Sequence, residues 1–492
     1  MHCDPNRRDW LKTVAAGATG VNLVLPTNAR SQQPGGAAGA IEINARRELF
    51  VDDFLIDRLE GTRLKLHEPR PAGVCLTYPE PWEGVFSSYN TIIHDGDVYR
   101  MYYMGMSAGH RYTCYAESTD GVHWEKPHLR IHEVLGTRDN NVVLIDRNAG
   151  TNFAPFLDAN SDARDSQRFK SFAVRGGLVP YASADGLHWK PMHDGPVITQ
   201  GAFDSHNIPF FSAAEGCYVC YFRTFRNGGY RWIDRATSQD FLHWSDPEPM
   251  QYGDTPAEHL YTSSTTPYFR APHLYVALPS RFMEGSDAVT QQQKSEIGVH
   301  EMYVPSGSGF SDMPLMTTRG GNSYQRTFME SFIPVGIGLR NWTSRANYPA
   351  VGIVATPDSQ TEMSIYVSRE IGYPTVNLTR YTLRYDGFIS VHAPFSGGEL
   401  VTRPLRFEGD RLSINYATSA PGSVSVEIQD ANGRPIPGFT AGDCREIIGD
   451  EIDRIVSWTG GPDVSSLAGR PIRLRFSMQA ADLYALQFQN TG

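Results

Sequence analysis

Ser118-Thr119-Asp120-Gly121-Val122-His123-Trp124 returns as Ser183-Ala184-Asp185-Gly186-Leu187-His188-Trp189, and again as Ser238-Gln239-Asp240-Phe241-Leu242-His243-Trp244. Two looser copies follow, Thr318-Arg319-Gly320-Gly321-Asn322-Ser323-Tyr324 and Arg384-Tyr385-Asp386-Gly387-Phe388, which brings the count to five. These residue types define a tight reversal. The aspartate accepts backbone N–H groups inside the turn, the glycine tolerates positive φ, and the aromatic ring packs where the chain re-enters a strand. A strand-turn-strand unit that keeps returning along one chain means radial repetition, and so a β-propeller.

The stretches between copies supply the strands. Asn90 to His94 and Tyr99 to Met104, Phe153 to Asp158 and Phe169 to Val174, Asn207 to Phe211 and Tyr218 to Phe222 are rich in β-branched and aromatic residues. Thr265 to Phe269 with Leu274 to Leu278, and Ala350 to Ala355 with Met363 to Ser368, continue the pattern. Asp95-Gly96 and Glu215-Gly216 read as hairpin turns. The expected fold is all-β: a five-bladed β-propeller over residues 41–395, four strands to a blade, followed by a C-terminal β-sandwich of jelly-roll type over 396–492. Short alternating segments such as Leu412 to Tyr416, Ser423 to Gln429 and Ile472 to Phe476 carry the second half of that reading. Asp443, Asp450, Asp453 and Asp463 are too irregularly spaced to read as a cation site, and no metal or cofactor is implied.

Residues 1–40 read as a targeting segment. Asn6-Arg7-Arg8-Asp9-Trp10-Leu11-Lys12, with the apolar Thr13 to Leu25 behind it and small residues near Ala29, resembles a twin-arginine export signal. The expected location is therefore periplasmic or extracellular. No other stretch is apolar over the roughly 20 residues that a membrane helix needs, so no membrane insertion is expected of the mature chain. With 44 basic and 54 acidic residues and a net charge of -10, no basic run offers a nucleic-acid surface. Cys217 and Cys220 are an odd step apart on a strand, hence on opposite faces, which argues against a disulfide or chelate between them.

Topology places the site before any motif does. In an up-and-down blade, the loop entering the inner strand and the loop leaving the second strand share one face of the disc. The repeated turn, joining strands three and four, lies on the other and is structural. Asn90, Asn152, Asn207, Thr265 and Asn347 stand at the entrances; Arg175, Arg223, Arg281 and Arg369 stand at the exits. The amides either bond backbone at a bend or meet a ligand, and the arginines either pair between blades or do the same. Glu83, Asp204, Glu258 and Glu330 precede four inner strands and converge on one axial funnel. Carboxylates, guanidinium groups, amides and aromatic rings together suit a polyhydroxylated ligand. Hydrolysis of a glycosidic bond needs one protonated and one ionised carboxyl there.

The five repeats, their Ser-x-Asp-Gly-x-x-Trp turns and the acids at inner-strand entrances resemble the five-bladed β-propeller glycoside hydrolases, the clan of arabinanases, xylosidases and invertases. Glu48-Leu49-Phe50-Val51-Asp52-Asp53-Phe54-Leu55-Ile56, Arg270-Ala271-Pro272-His273 and Tyr385-Asp386-Gly387-Phe388 resemble exported planctomycete-type proteins that degrade complex polysaccharides. The resemblance implies an exported glycosidase acting on a polysaccharide or oligosaccharide. From their loop positions, and not from the resemblance, Asp204, Glu258 and Glu330 are the candidate catalytic carboxyls, with Glu83 in reserve. Glu83, Asn90, His206, Asn207, Arg223, Arg281, Trp342 and Arg345 are its candidate substrate contacts. A non-catalytic glycan-binding propeller and a scaffold of paired acids and arginines are the alternatives.

Overall fold

The computed structural model describes residues 39–107, 109–145, 152–301, 309–343, 347–356 and 359–490. The expected export signal falls almost entirely outside them. Within them the chain is nearly all β, with one α-helix, Gln291–Glu296, and no helix long and apolar enough to cross a membrane. The described cysteines, Cys217 and Cys220 among them, are free thiols.

Five small antiparallel sheets follow one another along the chain. The first is Ser88–Asp95, Val98–Ser107, His110–Ser118 and Val142–Ile145; the second is Phe156–Leu157, Phe169–Val174, Leu178–Ser183 and Lys190–Pro191. Ile208–Ser212, Cys217–Arg226, Tyr230–Ser238 and Glu248–Pro249 make the third, and Thr266–Tyr268, Ala271–Ala277 and Met316–Thr318 the fourth. In the fifth, Tyr348–Pro349 and Val354–Ala355 precede Glu362–Arg369 and Asn377–Arg384, and its outer strand, Arg70–Thr77, comes from the N-terminal end of the described chain. That last pairing ties the beginning of the series to its end. The first strands of the first and fifth sheets also meet directly, through the parallel bridge of Thr91 to Val351.

The repeated turn behaves as its residue types require. In each strong copy the serine hydroxyl accepts the N–H three residues on, at 2.9 Å for Gly121, Gly186 and Phe241. The aspartate carboxylate takes two backbone N–H groups and the histidine Nδ1, which lies 2.7 Å away in all three copies. Burial would raise these carboxyls, but the histidine and backbone donors hold Asp120, Asp185 and Asp240 well below the usual range. The third copy puts Phe241 at φ 68°, where the first two have glycine. Its ring stacks on Phe172 of the second sheet at 4.8 Å, and that packing offsets the backbone cost.

Every turn grips the sheet before it. The Tyr366 hydroxyl of the fifth sheet donates to the Gly121 carbonyl (2.5 Å), and Tyr102 of the first donates to Gly186 (3.0 Å). Phe241 stacks on the second sheet, and Gly321 N–H donates to Glu215 of the third (3.2 Å). Tyr268 of the fourth sheet both donates to the Asp386 carboxylate and accepts its N–H, each at 2.9 Å. The contacts run five to one, one to two, two to three, three to four and four to five, which is a closed circuit. Trp124, Trp189 and Trp244 take equivalent, half-buried places in it.

Beyond the fourth sheet, which has three strands where four were expected, two features depart from the sequence reading. Residues 41–66 do not belong with the five sheets, and neither does Ile389–Ala393, although 41–395 was expected to be propeller: Ile41–Asn44, Glu48–Leu49, Ile56–Glu60, Arg63–Leu66 and Ile389–Ala393 pair into a ten-stranded sheet with the C-terminal strands. Its long strands, Arg411–Asp430 and Ile472–Gln489, enclose a core that includes Phe50, Leu400, Phe476 and Trp458. Alternating hydrophobicity makes a strand but does not name its partner, so nothing local in 41–66 assigns it to the C-terminal strands. The second departure is an additional sheet of His259–Leu260, Arg281–Glu284, Gly309–Pro314 and Ser331–Ile333. Its two central strands, Arg281–Glu284 and Gly309–Pro314, come from the link between the second and third strands of the fourth sheet, and its outer strands come from the segments before and after that sheet.

An ionic seam holds the ten-stranded sheet to the others. Arg319 bonds Glu48 (2.6 Å) and Asp52; Arg47 and Arg270 both reach Asp386 and Asp453. Glu48 is fully buried. Burial would raise its carboxyl, but the hydrogen bond from His273 and the charge of Arg319 bring it down to about 2. The three stretches that carry the closer sequence resemblance all converge here.

Candidate functional site

Because neighbouring strands run antiparallel, the loops entering the first strands and leaving the second strands lie at one end of each sheet. Two different surfaces form at that end. Around the second sheet there is a cleft of about 450 Å³, lined by Arg111, Asn152, Val174, Gly176, Gly177, Thr199, Gly201, Phe203 and Asp204. The Asp204 side chain is 72% exposed, while its ion-pair partner Arg223 is 3% exposed. The guanidinium is packed 4.7 Å over the Tyr261 ring. A buried cation thus presents an accessible carboxylate at the cleft wall.

From Arg223 a ladder of rings runs inward, beginning at Tyr261. Tyr261 stacks on Tyr348 (5.5 Å) and Tyr348 on Tyr89 (5.3 Å), which meets His206 at 5.2 Å. All four residues are buried. Burial drives the His206 imidazole down to about 3, so it is neutral at pH 7, and its Nε2 lies 3.3 Å from the Thr91 hydroxyl. Tyr89 adopts φ 54°, an uncommon place for a bulky residue and a sign that its ring position is over-determined by packing.

Over the fourth and fifth sheets the same end is occupied by the additional sheet. Arg281 donates to Asp312 (2.8 and 2.5 Å), to the Met329 carbonyl (2.7 Å) and to Glu258 (3.4 Å), and Arg326 takes the other oxygen of Glu258. Glu258 therefore carries a guanidinium on each oxygen. Glu330 follows Met329 directly and is exposed. Trp342 packs on Phe310 of this sheet at 4.9 Å and donates its indole N–H to Gly336. The wall extends sideways: His300 N–H donates to the Gly372 carbonyl, Gly372 N–H donates to Val85, and the His300 ring lies 4.9 Å from Phe86 of the loop entering the first sheet.

The expected contacts sort accordingly. Asp204 and Arg223 come together at the open cleft. His206 lies behind them within the ladder, and Asn207 is buried beside it. Glu258, Arg281, Glu330 and Trp342 belong to the wall, and Arg345 lies outside the described residues. Glu83 is fully buried and accepts from Tyr103 and Lys126 (2.6 Å each) and from Glu80 N–H, so its place is a strut and not a ligand contact. The amides turn inward. Asn90 bonds Tyr78 and Ser368, Asn347 donates to Ser311 and Asn341, and Asn152 and Asn207 both donate to the Phe203 carbonyl. Arg369 is spent on Val335, Pro334, Asn347 and Tyr381. Short polar side chains at strand entrances satisfy the bend first, which is why a ring of them predicts loops better than it predicts ligands. Sequence reading missed Arg111, Tyr348 and the glycine-rich edge at 176–177. Tyr348 directly follows Asn347 and was the one legible signal.

No protein-family model matches the chain, and no curated protein sequence does. Solved structures do. A thermostable family-43 glycoside hydrolase aligns at 15% identity over 64% of this chain and 96% of its own, with a TM-score of 0.39. A fructofuranosidase from Schwanniomyces occidentalis, complexed with fructosylnystose, aligns at 10% over 86% and 98%, with a TM-score of 0.38. An N-acetylgalactosamine deacetylase from F. plautii, in complex with a blood group B trisaccharide, aligns at 10% over 65% and 96%, with a TM-score of 0.45.

Proposed function

We propose that the five sheets are the blades of a five-bladed β-propeller, that the ten-stranded sheet is a C-terminal β-sandwich, and that the protein is an exported glycoside hydrolase of a complex polysaccharide or oligosaccharide. The closed circuit of turn contacts supports the blade count. The export route rests on the twin-arginine stretch at residues 6–12. The observation that carries the activity is the exposed Asp204 carboxylate fixed by a buried Arg223 at the head of the open cleft. An accessible carboxylate positioned by a guanidinium is what the base or nucleophile of glycoside hydrolysis needs.

Glu258, with both oxygens ion-paired, is withdrawn from the acid role. Glu330 is the remaining candidate for it, exposed at the edge of the wall. The withdrawal of Glu258 also favours a second reading, a glycan-binding propeller without chemistry, because the catalytic pair then depends on Glu330 reaching Asp204. A screen of reducing ends released from plant and algal polysaccharides, sulfated ones included, tests the first reading. Turnover that falls 10²- to 10⁴-fold in Asp204→Asn supports it; full turnover in both Asp204→Asn and Glu330→Gln overturns the assignment. Glycans that bind and are never cut establish the second.

A further inference from the structure

A cavity of about 550 Å³ lies where the ten-stranded sheet meets the fifth, and we infer that it is a second glycan site, one that holds a neutral chain without cutting it. The inference rests on the glycosidase reading for the kind of ligand and adds a place to it. Strand register separates that place from Asp204. Tyr348, the ladder ring carried by the fifth sheet, pairs with Ser368, whereas the cavity is lined by Glu362, six residues back along the same strand. At about 3.3 Å a residue, that is roughly 20 Å down the sheet. No residue lines both this cavity and the cleft at Asp204.

The cavity is lined by polar groups that the fold leaves unused. Tyr484 and Thr382 are only 7% and 8% exposed, yet neither hydroxyl has a partner among the described residues. Hydroxyls on buried residues are ordinarily satisfied, so two free ones on one cavity point to a ligand. His67 adds an acceptor whose tautomer is fixed by its neighbours. Asp482 can only accept, so Ser390 spends its one hydrogen on it (2.7 Å), and His67 Nε2, 2.8 Å from the same hydroxyl, must donate. Burial keeps this imidazole neutral at pH 7, and its Nδ1 lone pair is left without a partner among the described residues. The Tyr484 ring is set in place by Arg384, 4.9 Å over it, and by His67 at 5.1 Å. Arg384 itself is spent on Asn415, Asp450 and the carbonyls of Tyr416 and Glu451.

Two hydroxyls that can donate or accept, a bare imidazole nitrogen and the exposed Glu68 carboxylate, which forms no ion pair among the described residues, match the hydroxyls of a sugar chain. Charge sets the class of sugar. Glu68, Glu362, Asp450 and Glu451 line the cavity against Arg70 and Arg384, and both arginines are already paired, with Glu362 and Asp450. The surplus of carboxylates repels uronates and sulfate esters and leaves neutral glycans. A polymer that engages this cavity and the Asp204 cleft together is held more tightly than by either alone, whereas a short chain cannot span them.

The probes are debranched arabinan, xylan and galactan, with polygalacturonate as the acidic control. Retardation in gels that contain each polymer is measured beside turnover of the matching linear trisaccharide or, where nothing is cut, its binding. Tyr484→Phe with Thr382→Val removes both hydroxyls at nearly constant volume; Glu68→Arg, at an exposed position, reads the same cavity should the first variant fail to fold. A neutral polymer should retard the wild type, and each folded variant should lose about tenfold or more of that affinity with the trisaccharide unaffected. Unchanged retardation in a variant with a wild-type unfolding midpoint overturns the second site and leaves the glycosidase reading standing. So does a loss of trisaccharide turnover in step with retardation, or equal retardation by polygalacturonate. If no polymer is retained or cut, the glycosidase reading fails and the inference falls with it.

Discussion

The open and walled halves of the entry face use the same residue types to opposite ends. At the cleft, one arginine is buried against Tyr261 and supports one carboxylate, which stays accessible. In the wall, Arg281 and Arg326 share Glu258, Arg281 takes Asp312 as well, and the charges are consumed by one another. The difference lies in the balance of partners. An acid with a single buried donor keeps free lone pairs for a ligand or a proton, whereas an acid with two is a cross-link. Convergence of acids on a funnel, taken alone, does not separate the two cases.

That contrast can be broken by mutation. The largest stability effect is expected at Glu258→Gln, which leaves the Arg326 guanidinium, 1% exposed, without its counter-charge. Loss of one partner from a buried pair costs about 3–5 kcal/mol, to be read as a fall in the denaturation midpoint. A loss below about 1 kcal/mol would return Glu258 to the list of free carboxyls.

Acid comes next. His67 lies where the ten-stranded sheet meets the fifth, and burial brings its imidazole down from 6.5 to about 4. A histidine depressed in the folded state is a stabilising neutral group above its unfolded value, and that contribution is lost as pH falls from 6.5 toward 4. The shift corresponds to on the order of 3 kcal/mol. His67→Gln should therefore flatten stability against pH in that window, measured by thermal unfolding at pH 7, 5.5 and 4. His206, in the ladder, has the same sign and should leave a residual slope from pH 6.5 down to about 3.

The smallest effect is expected far from both halves. Asp185→Ala removes a carboxylate that accepts two backbone N–H groups and an imidazole, on an exposed turn. A cost of about 1–2 kcal/mol with no change in glycan binding or turnover follows. A change in either would move the repeated turn from structure to function.

Much of this was legible in the residues. The turn phrase is local: its hydrogen bonds form within six residues, and so it survives in sequence as a readable pattern. The inner-strand entrances were legible for the same reason, and Asp204-Ser205-His206-Asn207 lies where the pattern puts it. What escaped depended on distant pairing. Nothing in Gly309–Pro314 says that it pairs with Arg281–Glu284 and Ser331–Ile333 to raise a wall, and nothing in Glu48 says that its counter-charge is Arg319. The sequence marks residues for burial or charge; their partners are set by the fold.

The central claim is that chemistry belongs to the open half and cohesion to the walled half. Its most direct test is one paired measurement, turnover and unfolding midpoint for Asp204→Asn and Glu258→Gln, on a polysaccharide that the wild type cleaves. Asp204→Asn is expected to lose 10²- to 10⁴-fold in turnover with its midpoint nearly unchanged, while Glu258→Gln unfolds early yet turns over normally when folded. A stable Glu258→Gln without activity, beside a fully active Asp204→Asn, would contradict it.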